Sequence, residues 1–132
     1  MTVRPPLTEL QIAILSTLWN RGEATSSQVR SDLEPERSLA LTTVTTLLGR
    51  LEKKGVVEHE RDGRRYLYRA SISRDEVQRS MVRDLTASLF DGDSVSLASH
   101  VIENGDVDEN GIDRLQLVLD DRRRAHREGR SS

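Results

Sequence analysis

The chain has 132 residues, enough for one domain or two small lobes, with 35% hydrophobic residues, 32% charged residues and a formal net charge of −2. It has no cysteine, which excludes disulfides, thiolate metal sites and cysteine catalysis. One Trp, one Phe and two Tyr argue against a large aromatic-lined ligand cavity. No apolar run approaches the ~20 residues of a membrane span, and the start, MTVRPPLTEL, lacks a signal-peptide apolar region. A soluble cytoplasmic protein is expected.

The net charge hides a segregation. Residues 1–70 carry 11 Lys+Arg against 9 Asp+Glu, residues 71–121 carry 4 against 12, and residues 122–132 carry 5 against 1. The positive charge of the first segment is concentrated after residue 49.

The first helix is predicted from about Thr8 to Asn20. Thr8 and Gln11 have capping-box spacing, and Leu7, Leu10, Ile14 and Leu18 form an apolar stripe with Leu15 and Trp19 beside it. Arg21-Gly22 ends it. A second helix opens on Thr25 and Gln28, turns Val29 and Leu33 inward, and stops at Pro35. The third is LTTVTTLLGRLEKKG, residues 41–55. Val44, Leu47, Leu48 and Leu51 share one face; Thr42, Thr46, Gly49, Arg50 and Lys53 lie opposite, with Thr43 at the border. One of its threonines is expected as the N-cap, and Gly55 closes the helix.

Asp62-Gly63 between two extended runs signals a β-hairpin dense in arginine: Arg61, Arg64, Arg65 and Arg69. Three helices and a basic hairpin in this order predict a winged helix-turn-helix, the third helix entering the major groove and the hairpin forming the wing. Threonine offers a hydroxyl that donates and accepts and a methyl that can lie against thymine. Glycine removes an obstacle to close approach. Arg50 reaches a guanine edge or a phosphate, and Lys53 and Lys54 suit phosphates.

Beyond residue 71, Ser73 and Glu76 form a third capping box ahead of Val77, Met81, Leu85 and Leu89, which recur every four residues until Asp91-Gly92. A shorter helix is predicted over Val95–Glu103, with Leu97, Val101 and Ile102. A last one runs from about Glu109 to Arg127, with Ile112, Leu115, Val118 and Leu119. Three such helices make a thin core alone. Pairing with a second copy would bury the stripes of Val77, Met81, Leu85, Leu89, Leu97, Val101, Ile112, Leu115 and Leu119. A two-fold dimer would also place two recognition helices on a palindrome. The expected organisation is a mainly α fold with a small β-hairpin wing: a winged helix-turn-helix over residues 1–71, a three-helix dimerisation lobe over 72–127, and a disordered tail over 128–132. The stretch DDRRRAHREGR, residues 120–130, reads either as a DNA-tracking arm or as a helix C-terminus whose cations favour the dipole, followed by disorder; the second is preferred.

LTELQIAILSTLW, LTTVTTLLGRLEKKGVV, RDGRRYLYRA and the C-terminal three-helix region resemble the BlaI/MecI/CopY family of bacterial penicillinase-type repressors. The resemblance implies a winged helix followed by a dimerisation lobe, and dimers that block transcription from palindromic operators. Thr42, Thr43, Thr46 and Arg50 match the family's operator-contacting positions, and Arg64 and Arg65 match its wing. Where the family often carries lysine, this chain has Thr42. The β-lactam-responsive members are cleaved at an Asn-Phe bond under a membrane metallopeptidase sensor; the matching dipeptide here is His100-Val101. The cysteine cluster of the copper-responsive members is missing.

Asp106-Val-Asp108-Glu-Asn110-Gly111 spells half of a calcium loop, but its twelfth position is Leu117 rather than glutamate. His59, His100 and His126 are scattered singly. No metal or other cofactor is expected, and no nucleophile or phosphate-loop motif points to an enzyme. The alternatives are a ligand-sensing winged-helix regulator and a winged helix used as a protein-interaction module. The polar face of the third helix discriminates the last from a DNA binder.

Overall fold

The computed structural model describes residues 7–131; residues 1–6 of the expected DNA-binding domain and Ser132 of the expected tail lie outside the described residues. The chain divides into two units, one ending at Leu85 and one beginning at Thr86.

In the first unit, α1 (Glu9–Arg21) and α2 (Ser26–Leu33) both open on complete capping boxes, Thr8 with Gln11 and Thr25 with Gln28. Each box satisfies two donors that the first turn leaves unpaired. The helix ends are tied at the surface: Arg21 grips Asp32 through bonds of 2.6 and 2.8 Å. Those hydrogen bonds hold the Asp32 carboxyl below its ordinary range and raise the Arg21 guanidinium. α3 (Leu41–Lys53) packs its apolar face on both helices. The largest fully buried side chains are Ile14, Leu15, Leu18, Val29, Val44, Leu48 and Leu51.

α3 ends in a Schellman motif. Gly55 takes φ +82°, its N–H bonds to the Glu52 carbonyl, and the Val56 N–H reaches back to Leu51. That turn aims the chain into β1 (Val57–Asp62), which pairs antiparallel with β2 (Arg65–Ala70). The register places Asp62 opposite Arg65, so the loop is Gly63-Arg64, one residue later than an Asp-Gly loop. Gly63 alone of the two has positive φ, at +66°, the type II′ pattern. Ala24 adds an isolated bridge to β2 by exchanging two backbone bonds with Tyr68, at 2.9 and 2.8 Å. Burial raises the Tyr68 phenol, opposed by its hydrogen bond with Ser26.

α4 (Arg74–Leu89) begins on the Ser73–Glu76 capping box and crosses the boundary between the units. By compactness the first unit extends past residue 71 to Leu85. The cause lies in the start of α4. Trp19 Nε1 donates to the Ile72 carbonyl at 2.9 Å, Arg74 sits over the Trp19 ring and bonds Asn20, and Val77 is 3% exposed in the winged-helix core. Val77 is thus not part of an outward stripe; it is filled in by its own chain.

In the second unit, Asp91 and Gly92 both take positive φ and turn the chain, and Asp93 caps α5 (Ser94–Asn104) by accepting from the Val95 and Ser96 amides. Gly105 ends α5; a β-carbon there would stand 2.6 Å from the Val101 carbonyl oxygen. Asp108 accepts from the Gly111 amide at the start of α6 (Glu109–Ser131). α6 continues to Ser131 rather than ending near Arg127, because Gly129 costs a helix only about 1 kcal/mol and nothing else there interrupts it. No residue of α5 is buried, and Leu89, Val95, Leu117, Val118 and Leu119 are each more than half exposed. No helix among the described residues is long and apolar enough to cross a membrane.

Candidate nucleic-acid interface

The four threonines of α3 divide by chemistry. None of them caps the helix: the N-cap is Ala40, which has no side-chain acceptor, so the expectation of a threonine cap is not met. The chain reaches Ala40 in an extended conformation through Leu39, whose side chain packs on the core and whose carbonyl accepts from Arg30 at 3.1 Å. Thr45 bonds its hydroxyl back to the Leu41 carbonyl at 3.0 Å, the usual fate of a threonine inside a helix. Thr42, Thr43 and Thr46 are exposed, and their hydroxyls have no hydrogen-bond partner among the described residues. At 100° per residue, Thr46 and Lys53 lie opposite the buried Val44–Leu48–Leu51 seam, Thr42 and Gly49 fall beside them, and Arg50 and Thr43 flank them on the other side.

Gly49 stands exposed in this face, and a β-carbon there would meet nothing within 4 Å. Its own protein therefore does not require a glycine. Arg50 and Lys53 are exposed and make no ion pair among the described residues. Lys54 behaves differently. It is half-buried, and its Nζ donates to Gln11 Oε1 at 3.0 Å, the same oxygen that closes the α1 capping box. Lys54 thereby ties α3 to α1, whereas its neighbour Lys53 is exposed.

The wing's basic residues also separate. Arg69 is enclosed by carboxylates: Glu58 at 2.8 Å, Glu60 at 3.1 Å and Glu23 at 3.9 Å. It neutralises a surface cluster and raises no open positive field. Arg65 is paired with Asp62 at 3.1 Å across the turn, so its charge is partly compensated. Arg64 occupies the hairpin tip, exposed, and Arg61 lies over the Tyr66 ring at 5.8 Å; neither has an acidic partner among the described residues. His59, packed against Tyr66 and Tyr68, contacts Glu52 at the end of α3, which fixes the wing to that helix. The open cations are thus Arg50 and Lys53 on α3 and Arg61 and Arg64 on the wing. Both elements belong to one unit, and their charges suit a polyanion.

Sequence reasoning missed the Ala24 bridge and the Lys54–Gln11 tie. Ala24 sits alone between two helices, with no alternating pattern to announce a strand. Lys54 lies next to Lys53 in sequence, and nothing local says that only one of them is engaged.

The profile of the family described as Penicillinase repressor matches residues 7–121, most of the chain. The chain belongs to the penicillinase repressor family. This is a family of transcriptional repressors and not of enzymes. The repressor chain is 37% identical over 115 residues to the transcriptional regulator BlaI of Mycobacterium tuberculosis, covering 86% of this chain and 82% of that protein. It is 20% identical over 108 residues to the penicillinase repressor of Staphylococcus aureus, covering 82% and 86%. Among solved structures, the DNA binding domain of the repressor BlaI superposes with a TM-score of 0.50 at 24% identity, over 58% of this chain and 93% of that domain. That likeness establishes the winged-helix fold of the first unit.

Proposed function

We propose that this repressor acts as a homodimer on palindromic operator DNA and excludes the transcription machinery from a promoter. Thr42, Thr43, Thr46 and Arg50 read base edges, while Lys53, Arg61 and Arg64 hold phosphates, joined by Arg65 when it exchanges Asp62 for the backbone. The single observation that carries this reading is the division among the threonines of α3. Three exposed hydroxyls have no partner among the described residues, and the fourth is engaged internally. A solvated face needs no such cluster, since β-branched residues are mediocre helix formers. Two such units related by a two-fold axis would meet half-sites roughly 34 Å apart, one DNA turn. An upstream membrane peptidase sensor, implied by the family resemblance, would have to act on a chain carrying His100-Val101 in α5 in place of Asn-Phe.

The test is selection of bound fragments from a random duplex library, followed by fluorescence anisotropy at several salt concentrations. The expected result is a palindrome bound at least two decades tighter than bulk DNA. Arg50→Ala with Thr46→Ala should then reduce that preference by roughly 1–3 kcal/mol for each base no longer read. Sequence-blind binding, or an operator affinity indifferent to both substitutions, would instead favour a winged helix that docks on protein.

A further inference from the structure

The two faces of the hairpin carry different chemistry. Glu58, Glu60 and Asp62 stand on one, where Arg69 and Arg65 neutralise them. The other face pairs Val57 with Ala70, His59 with Tyr68 and Arg61 with Tyr66, since opposed residues share a side of the ladder. This face runs from core to solvent. Val57 and Tyr68 are buried, Tyr66 is 45% exposed, and Arg61 stands exposed at the outer end. A ladder of rings joins the two ends. Tyr68 lies 5.5 Å from His59, His59 lies 4.6 Å from Tyr66, and the Arg61 guanidinium sits over Tyr66 at 5.8 Å.

The ladder is fastened to the recognition helix through His59, whose Nδ1 meets Glu52 Oε1 in the last turn of α3. A carboxylate accepts only, so the imidazole donates. Local electrostatics give Glu52 no reason to be there. An acid is repelled by the negative end of the helix dipole, and beside Lys53 it also repels any polyanion that α3 approaches. Nor does a partly exposed pair of this kind add much to stability.

We propose that Glu52 and His59 are positioning residues for DNA binding: they hold Tyr66, and through it Arg61, in place beside α3 before DNA arrives. The inference rests on the DNA-binding reading above and deepens it. Both residues act through the rings and not on a phosphate themselves. Arg61 has no acidic partner among the described residues, so the ladder orders it without spending its charge. An arginine ordered in advance avoids the entropy that a free one loses on binding. Glu52 therefore has two opposed effects on DNA, repulsion from α3 and placement of Arg61, and the second prevails. Removing its carboxylate separates them by sign: repulsion alone predicts tighter binding, and placement predicts weaker binding.

The test is a double-mutant cycle in the full-length chain, on the operator obtained by the selection above. Affinity is read by anisotropy, and thermal unfolding checks that each variant folds. Glu52→Ala should bind about two- to tenfold more weakly than wild type, the cost of ordering one long side chain on binding. His59→Phe, which keeps a ring against both tyrosines, should lose as much. Glu52→Gln, whose amide oxygen still accepts from the imidazole, should bind at least as well as wild type. In an Arg61→Ala chain Glu52→Ala should cost nothing, whereas in an Arg64→Ala chain it should cost as much as in wild type. A Glu52→Ala chain that binds the operator as tightly as wild type, or more tightly, would overturn the inference and leave the operator reading intact. So would an equal loss with and without Arg61, which would mean that the contact serves the fold of the wing alone. A wild-type chain that selects no operator would defeat both.

Discussion

Gly49 is the residue whose presence the folded protein explains least. A glycine inside a helix costs roughly 0.5–1 kcal/mol against alanine, and here a β-carbon would touch nothing. Gly49→Ala should therefore raise the unfolding free energy by about that amount in a urea titration. If α3 seats closely in the groove, the same substitution should lower operator affinity, giving a stabilised but poorer binder. Unchanged affinity would mean that this side of α3 stays clear of DNA. The lysine pair allows a second separation at the same scale. Each phosphate neutralised contributes about 0.9 to the slope of log K against log salt. Lys53→Ala and Arg64→Ala should each flatten the slope by about one unit across all sequences. Lys54→Ala should leave the slope alone and lower stability instead, since its partner is Gln11. A slope change with Lys54→Ala equal to that of Lys53→Ala would refute the assignment.

At the scale of elements, the junction between α3 and the wing decides where the arginines point. Gly55 at φ +82° makes the Schellman turn, and Glu52–His59 and the Ala24–Tyr68 bridge hold the hairpin beyond it. An L-residue at such a backbone costs roughly 1–2 kcal/mol. Gly55→Ala should destabilise the unit by about that much in thermal unfolding, although no side-chain clash is introduced. A variant as stable as wild type would show that the turn can relax. The capping boxes of α1, α2 and α4 are readable from Ser/Thr followed three residues later by Gln or Glu, because that device is local. The hairpin is readable too, but its loop falls one residue later than Asp-Gly predicts, since Asp62 is a paired strand residue bound to Arg65.

For the whole molecule, α4 serves two purposes along its length. Val77 lies in the winged-helix core, and Leu85 and Leu89, farther along the same four-residue repeat, are 41% and 72% exposed. Val77→Asp should unfold the first unit by burying a charge without a partner. Leu85→Asp should leave the monomer folded by circular dichroism and shift the sedimentation coefficient to that of a monomer. A Leu85→Asp chain that stays dimeric would remove the late part of α4 from the interface. α5 and α6 likewise expose apolar side chains, among them Val95, Ile112, Val118 and Leu119, a surface of the kind that a second copy would cover in the proposed dimer.

The sequence by itself determined what depends on neighbours along the chain: the helix periods, three capping boxes, the hairpin, the basic wing, and enough of the α3 pattern to reveal the family. Only the tertiary structure decided which of those residues are still open to a ligand. It closed Arg69 within three carboxylates, tied Lys54 to α1, removed Val77 into the core and left Thr42, Thr43, Thr46, Arg50 and Lys53 exposed together. The physical reason is that a side chain's chemistry is local, whereas its availability depends on residues such as Glu23, Gln11 and Trp19, which lie 46, 43 and 53 positions away from Arg69, Lys54 and Ile72.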